Sequence, residues 1–178
     1  YRLAAPGRQT GSEWRQTLVF PAGRRYFVSA DRIHSRNSGD ALFFRQDMPG
    51  HLKHQGGDTF SEIYLSYRGR IPASEFAKDF PPDEKFNYRR DRDGVPQRMI
   101  RAYHTRDPRT GADGPWLAGM TLNPADTSEA WCHQRTGYVC FIHEVGERPV
   151  KVGESFGAAY IVGWFDSIEE MERVYEEH

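Results

Sequence analysis

The run Ser155-Phe156-Gly157-Ala158-Ala159-Tyr160-Ile161-Val162-Gly163-Trp164-Phe165 is the most apolar in the chain. Its β-branched and aromatic residues suit a strand. It falls well short of the 18 or so apolar residues that a membrane helix needs. The spacing predicts the central strand of a sheet. A helix is predicted to follow it. Ser167 can cap that helix, with Glu170 three residues on completing a capping box. Ile168, Met171, Val174 and Tyr175 recur at helical spacing and form one apolar face, predicted to dock on the sheet.

Upstream, strand patterns recur between turn signals. Trp14, Gln16, Leu18 and Phe20 alternate with Arg15, Thr17 and Val19, and Pro21-Ala22-Gly23 turns the chain into a return strand, 25–30. Residues 31–40 read as a polar loop and 41–45 as a short buried strand. Residues 48–57 read as loop because Pro49, Gly50, Gly56 and Gly57 punctuate them, and 60–67 as a strand. Ser74 caps a predicted helical turn over 74–79, and 80–96 form a long charged loop. Further strands are predicted over 97–105 and 116–122, and a hairpin over 129–134 and 138–144. About eight or nine strands at turn-rich spacing, with one terminal helix and no βα alternation, predict an all-β antiparallel sandwich or open barrel.

The 178 residues fit one domain, 1–178, large enough for a core without staples. The chain starts at Tyr1 rather than Met, as a processed product or a fragment of a longer chain would. A net charge of −1, from 24 basic and 25 acidic residues, gives no nucleic-acid footprint. No run is long and apolar enough for a membrane span. Nothing in the sequence bears on oligomeric state.

Ionisable residues cluster between Met48 and Glu62. His51, His54, Asp58 and Glu62 could hold a divalent metal, the one cofactor the residues suggest. Without a metal, His51 or His54 could act as acid or base, with Lys53 holding an anionic group. Solvated loop residues are the plain alternative. Arg89 and Arg90 could grip a carboxylate bidentately, or could be a solvated charge run. Arg101 and His104 lie on opposite faces of one predicted strand, so one of them faces a core or cleft. Glu144 ends an apolar run beside Trp131 and His143 and is a further acid–base candidate. Trp14, Trp116, Trp131 and Trp164, with Tyr64, Tyr67, Tyr88 and Tyr103, offer faces on which a sugar could stack, or are ordinary sandwich core, the reading preferred for Trp116 and Trp164. No serine-nucleophile motif, phosphate loop or dinucleotide fingerprint is present. The hairpin, centred on Thr136, predicts a Cys132–Cys140 disulfide and with it a secreted protein.

The segment Pro149-Val150-Lys151-Val152-Gly153-Glu154-Ser155-Phe156, followed by an apolar strand, resembles a segment near the C-terminus of galactose-mutarotase-like β-sandwiches. These include aldose epimerases and the sandwich domains of glycoside hydrolases and polysaccharide lyases. The resemblance implies a carbohydrate-handling sandwich and a carbohydrate ligand, and no residue role is carried across. Two expectations follow. One is a carbohydrate-active enzyme, a lyase, hydrolase or epimerase. The other is a non-catalytic sandwich that binds glycan or protein.

Overall fold

The computed structural model describes residues 2–53, 58–75, 86–135 and 138–178. In chain order its strands are β1 (Arg2–Leu3), β2 (Ser12–Val19), β3 (Tyr26–His34), β4 (Gly39–Leu52), β5 (Phe60–Leu65), β6 (Gly69–Pro72), β7 (Tyr88–Arg89), β8 (Met99–Arg106), β9 (Asp113–Thr121), β10 (Thr127–Arg135), β11 (Tyr138–Val150) and β12 (Ser155–Phe165). Two 3₁₀ turns, Ala73–Glu75 and Pro124–Asp126, one helical turn, α1 (Arg90–Asp93), and a C-terminal helix, α2 (Ile168–Glu177), complete the described elements. Among the described residues the strands form two sheets, in the orders β1-β2-β3-β12-β9-β8-β5-β6 and β4-β11-β10-β7. Every described strand pair is antiparallel. The fold is an open β-sandwich.

The predicted central strand, β12, lies between β3 and β9. Its two faces explain its apolar composition. Ile161 and Phe165 point to an outer core that α2 covers with Met171, Val174 and Tyr175. Phe156 and Tyr160 point inward and pack on Val145 of the small sheet. A strand buried on both faces has little use for alternation. Ser167 caps α2 by accepting from Glu170 N at 3.1 Å, while Glu170 Oε2 accepts from Asp166 N at 2.6 Å. Ile168 packs on the rim of the same core.

The small sheet covers the large one unevenly. Its Leu52, Cys132, Val139 and Phe141 pack on Phe60, Ile63, Leu65, Tyr103 and Leu117 of β5, β8 and β9. Its edge strand β4 reaches β12 with Leu42 and Phe44. The inner face of β2 and β3 extends past β4 and stays open.

Several expectations change. The loop assigned over 80–96 contains β7 and α1, and the short buried strand over 41–45 is part of the 14-residue β4, where those residues are exposed or half-buried. The loop assigned over 48–52 is strand, since β4 runs to Leu52 by pairing with β11. The polar loop over 31–40 is largely strand, because β3 continues to His34 and β4 begins at Gly39. The disulfide is absent: neither cysteine is in one. The hairpin register pairs Cys132 with Phe141 and His133 with Cys140, one residue from the expected register. A one-residue slip puts two side chains on opposite faces of the sheet, so Cys132 and Cys140 cannot meet. Two free cysteines give no support to a secreted protein.

Candidate functional site

The open strip beside β4 forms a groove with a volume of about 610 Å³. The large sheet contributes Trp14 and Gln16 from β2, Phe27, Ser29, Asp31 and Ile33 from β3, and Tyr160 and Val162 from β12. Phe44, Arg45, Gln46 and Asp47 of β4 form the opposite wall. The period of a strand produces this lining. Every second residue of β3 faces inward, and cross-strand pairing aligns Gln16 with Asp31 and Ser29 with Tyr160.

The floor is a hydrogen-bonded set around Asp31, which is 9% exposed. Trp14 Nε1 donates to Asp31 Oδ1 at 2.8 Å, and Ser29 Oγ donates to Asp31 Oδ2 at 2.9 Å. Gln16 Nε2 donates to Ser29 Oγ at 3.2 Å. Two further lining groups are buried without a hydrogen-bond partner, the Tyr160 hydroxyl and Gln46 Oε1. Burial, and then the Asp31 and Asp126 charges, push the Tyr160 pKa far up. That hydroxyl stays protonated and can donate. Arg45 Nε and Nη2 donate to Glu144 Oε1 at 2.9 and 2.5 Å, so its charge is matched. The Asp31 carboxylate accepts only from neutral donors inside the groove. Aromatic and aliphatic walls over a small number of placed polar groups are the usual make-up of a small-molecule site.

The residues singled out from the sequence lie in several separate places. Arg101 is fully buried between the sheets. His104 is on the outer face of the large sheet, its ring stacked on Trp116 at 4.3 Å and its Nδ1 3.0 Å from Glu62 Oε1. Glu62 also accepts from Arg70 Nε and Nη2 at 2.7 and 2.6 Å, and this arginine holds its carboxyl below the usual range. Tyr64 OH donates to Glu172 of α2 at 2.7 Å. The Tyr67 ring packs on Tyr88, and burial pushes its pKa up to about 12. Arg89 pairs with Asp91 at 3.4 Å, whereas Arg90 donates to Ala125 O at 2.8 Å. They do not form a joint clamp. Lys53 is exposed, and its backbone N donates to Thr59 Oγ1 at 2.8 Å. Asp58 is half-buried. The backbone of His51 is in β4, while its side chain and the whole of His54 lie outside the described residues. Among the described residues no group of three or more His, Cys, Asp or Glu is placed to hold a metal. Glu144 and Trp131 come nearest to the groove, through Arg45, whose guanidinium lies 5.6 Å from the Trp131 ring.

Ser29, Asp31, Gln46 and Tyr160 were not singled out from the sequence, whereas Trp14 was, as a face for sugar stacking. The signal for two of them was present in Phe27-Ser29-Asp31-Ile33, an alternation that runs past the point where the return strand was ended.

No family model and no curated protein matches this chain. Among solved structures the fold is similar to that of a protein from Klebsiella pneumoniae subsp. pneumoniae MGH 78578 described as a "putative aldose 1-epimerase", with a TM-score of 0.49 and 9% identity over 99% of this chain and 52% of that one. The chain thus spans about half the length of that protein. Pro149–Phe156 is the segment that carries the resemblance drawn from the sequence. In the present structure this segment ends β11, turns at Gly153 (φ 87) and starts β12, carrying the chain from the small sheet to the centre of the large one. No helix among the described residues is long and apolar enough to cross a membrane.

Proposed function

We propose that the groove between β2, β3, β12 and the β4 edge binds a carbohydrate. The observation that carries this reading is the pair of unpartnered buried groups in its lining, Tyr160 OH and Gln46 Oε1. One is a donor and the other an acceptor, as a sugar hydroxyl requires. Burying such groups without a partner costs about 1–3 kcal/mol each, so a ligand that bonds to them removes a standing penalty. Asp31 adds a carboxylate acceptor, and Trp14, Phe27 and Phe44 add flat apolar surface for the C–H face of a ring. The groove volume falls within the range of about 300–1,000 Å³ typical of small-ligand sites.

Calorimetric titration of a panel of neutral, amino and uronic mono- and oligosaccharides tests the reading. Tyr160→Phe should weaken a saccharide that binds wild type by about tenfold, the value of one net hydrogen bond. A saccharide that binds wild type and Tyr160→Phe alike would place binding elsewhere.

A second reading, turnover of the bound sugar by a lyase, hydrolase or epimerase, has one observation behind it. A carboxylate and a protonated tyrosine, Asp31 and Tyr160, share the groove and could act as base and acid. Loss of a general acid lowers rate by about 10²–10⁴-fold, so Tyr160→Phe should affect kcat far more than KM. Both Asp31 oxygens already accept hydrogen bonds, which favours an anchoring role and therefore the binding reading.

A further inference from the structure

Arg101, on β8, is 0% exposed and faces the core between the sheets. An arginine has five N–H donors and cannot lose its charge in a protein. Here Nη2 donates to Phe86 O at 2.6 Å and to Cys132 Sγ at 2.9 Å. The guanidinium carbon lies 5.7 Å from the Phe141 ring centroid. Nε and Nη1, which carry the other three N–H groups, have no hydrogen-bond partner. Among the described residues no carboxylate pairs with it. Tyr67 and Tyr103 interact electrostatically with this arginine; the buried Tyr67 hydroxyl has no partner, and the buried Tyr103 hydroxyl interacts with Cys132 as well. On one side Arg101 pairs with Gly119, so no side chain occupies that position of the row.

The cluster therefore has donors in excess and a positive charge without a described opposite. A buried ion left without a partner is strongly destabilising. A lysine could relieve this by deprotonating, and an arginine cannot. A buried unsatisfied group in a folded protein calls for an ion or water to satisfy it.

We propose that Arg101, Tyr67 and Tyr103 hold a small monovalent inorganic anion of the halide class between the two sheets. Such an ion accepts from every direction and has no donor of its own to satisfy. It neutralises the guanidinium and accepts from Nε, Nη1 and the two phenols. The site is separate from the groove and takes no part in the proposed sugar binding.

The test is thermal unfolding of the full chain at fixed ionic strength, with sodium gluconate replaced stepwise by sodium chloride or bromide. An ion bound only by the folded state raises Tm with the logarithm of its concentration above Kd. The expected result is a rise in chloride and bromide that is largely lost in the Tyr67→Phe/Tyr103→Phe variant, which keeps both rings and therefore the packing. A crystal grown in bromide should show anomalous scattering beside Arg101 Nε or Nη1. Equal Tm in gluconate and chloride with no such peak would overturn the proposal. A halide effect that survives in the double variant, or scattering at the surface alone, would also overturn it. So would a thiolate absorbance in the native protein that disappears in Cys132→Ser, since the chain itself would then supply the negative charge.

Discussion

His143 is 1% exposed, with Nδ1 2.7 Å from Thr121 Oγ1 and Nε2 without a partner. Burial, and then the Arg101 charge, hold its pKa well below the ordinary value. The folded state therefore keeps the ring neutral at pH values where the unfolded chain, titrating near 6.5, takes up a proton. The sign follows from linkage. This stability is fully present above about pH 6.5 and is lost as pH falls towards the folded pKa, at up to about 1.4 kcal/mol per pH unit. Denaturant midpoints measured from pH 7.5 down to 5 should fall more steeply for wild type than for His143→Gln. Parallel slopes would show that the ring is not held neutral. Residues such as Tyr160 and Asp31 were not legible as site residues. Their role comes from cross-strand neighbours far away in sequence, and only the topology that places Ser29 beside Tyr160 reveals it.

Elements were legible where one periodicity persisted. β12 matches the predicted 155–165, and α2 begins after its predicted cap, because an apolar run and an N-cap are local signals. Strand ends were less legible. Pro49 and Gly50 signal a loop, yet β11 offers β4 a partner through Val139 and Cys140 that local composition cannot foresee. The β10–β11 register missed by one residue, and such a shift is invisible in a hairpin whose two strands both bury apolar side chains. In its corrected form the pairing predicts two titratable thiols in the unfolded, unreduced protein; finding none would restore the disulfide. Met171 is 0% exposed on the core-facing side of α2. Met171→Asp should therefore destabilise by about 3–5 kcal/mol, as an unpaired buried charge does, and an unchanged melting temperature would mean that the helix carries none of the core. Gly163 is required by close approach, since a Cβ there would meet Tyr26 Cα and Cβ at the start of β3 and Arg25 O just before it. Gly163→Ala should separate β12 from β3 and cost about 2 kcal/mol or more, read from chemical denaturation.

At the scale of the whole molecule, unequal sheets create the groove. The small sheet has too few strands to cover the large one, and the β4 edge stops over β12. The uncovered face of β2 and β3 keeps a polar row, Gln16, Ser29 and Asp31, where a fully covered sheet would bury apolar side chains. The sandwich itself was legible from strand count and turn spacing. The half-covered sheet was not, because strand order depends on pairings such as β3 with β12 that span most of the chain. The indole N–H of Trp14 reports on the groove most directly, since it donates to Asp31 on the floor. An ¹⁵N-labelled sample titrated with the saccharides that bind in calorimetry should show this signal moving saturably, with the Kd that calorimetry gives. If a bound saccharide leaves the Trp14 indole signal where it stands, the groove is not the carbohydrate site.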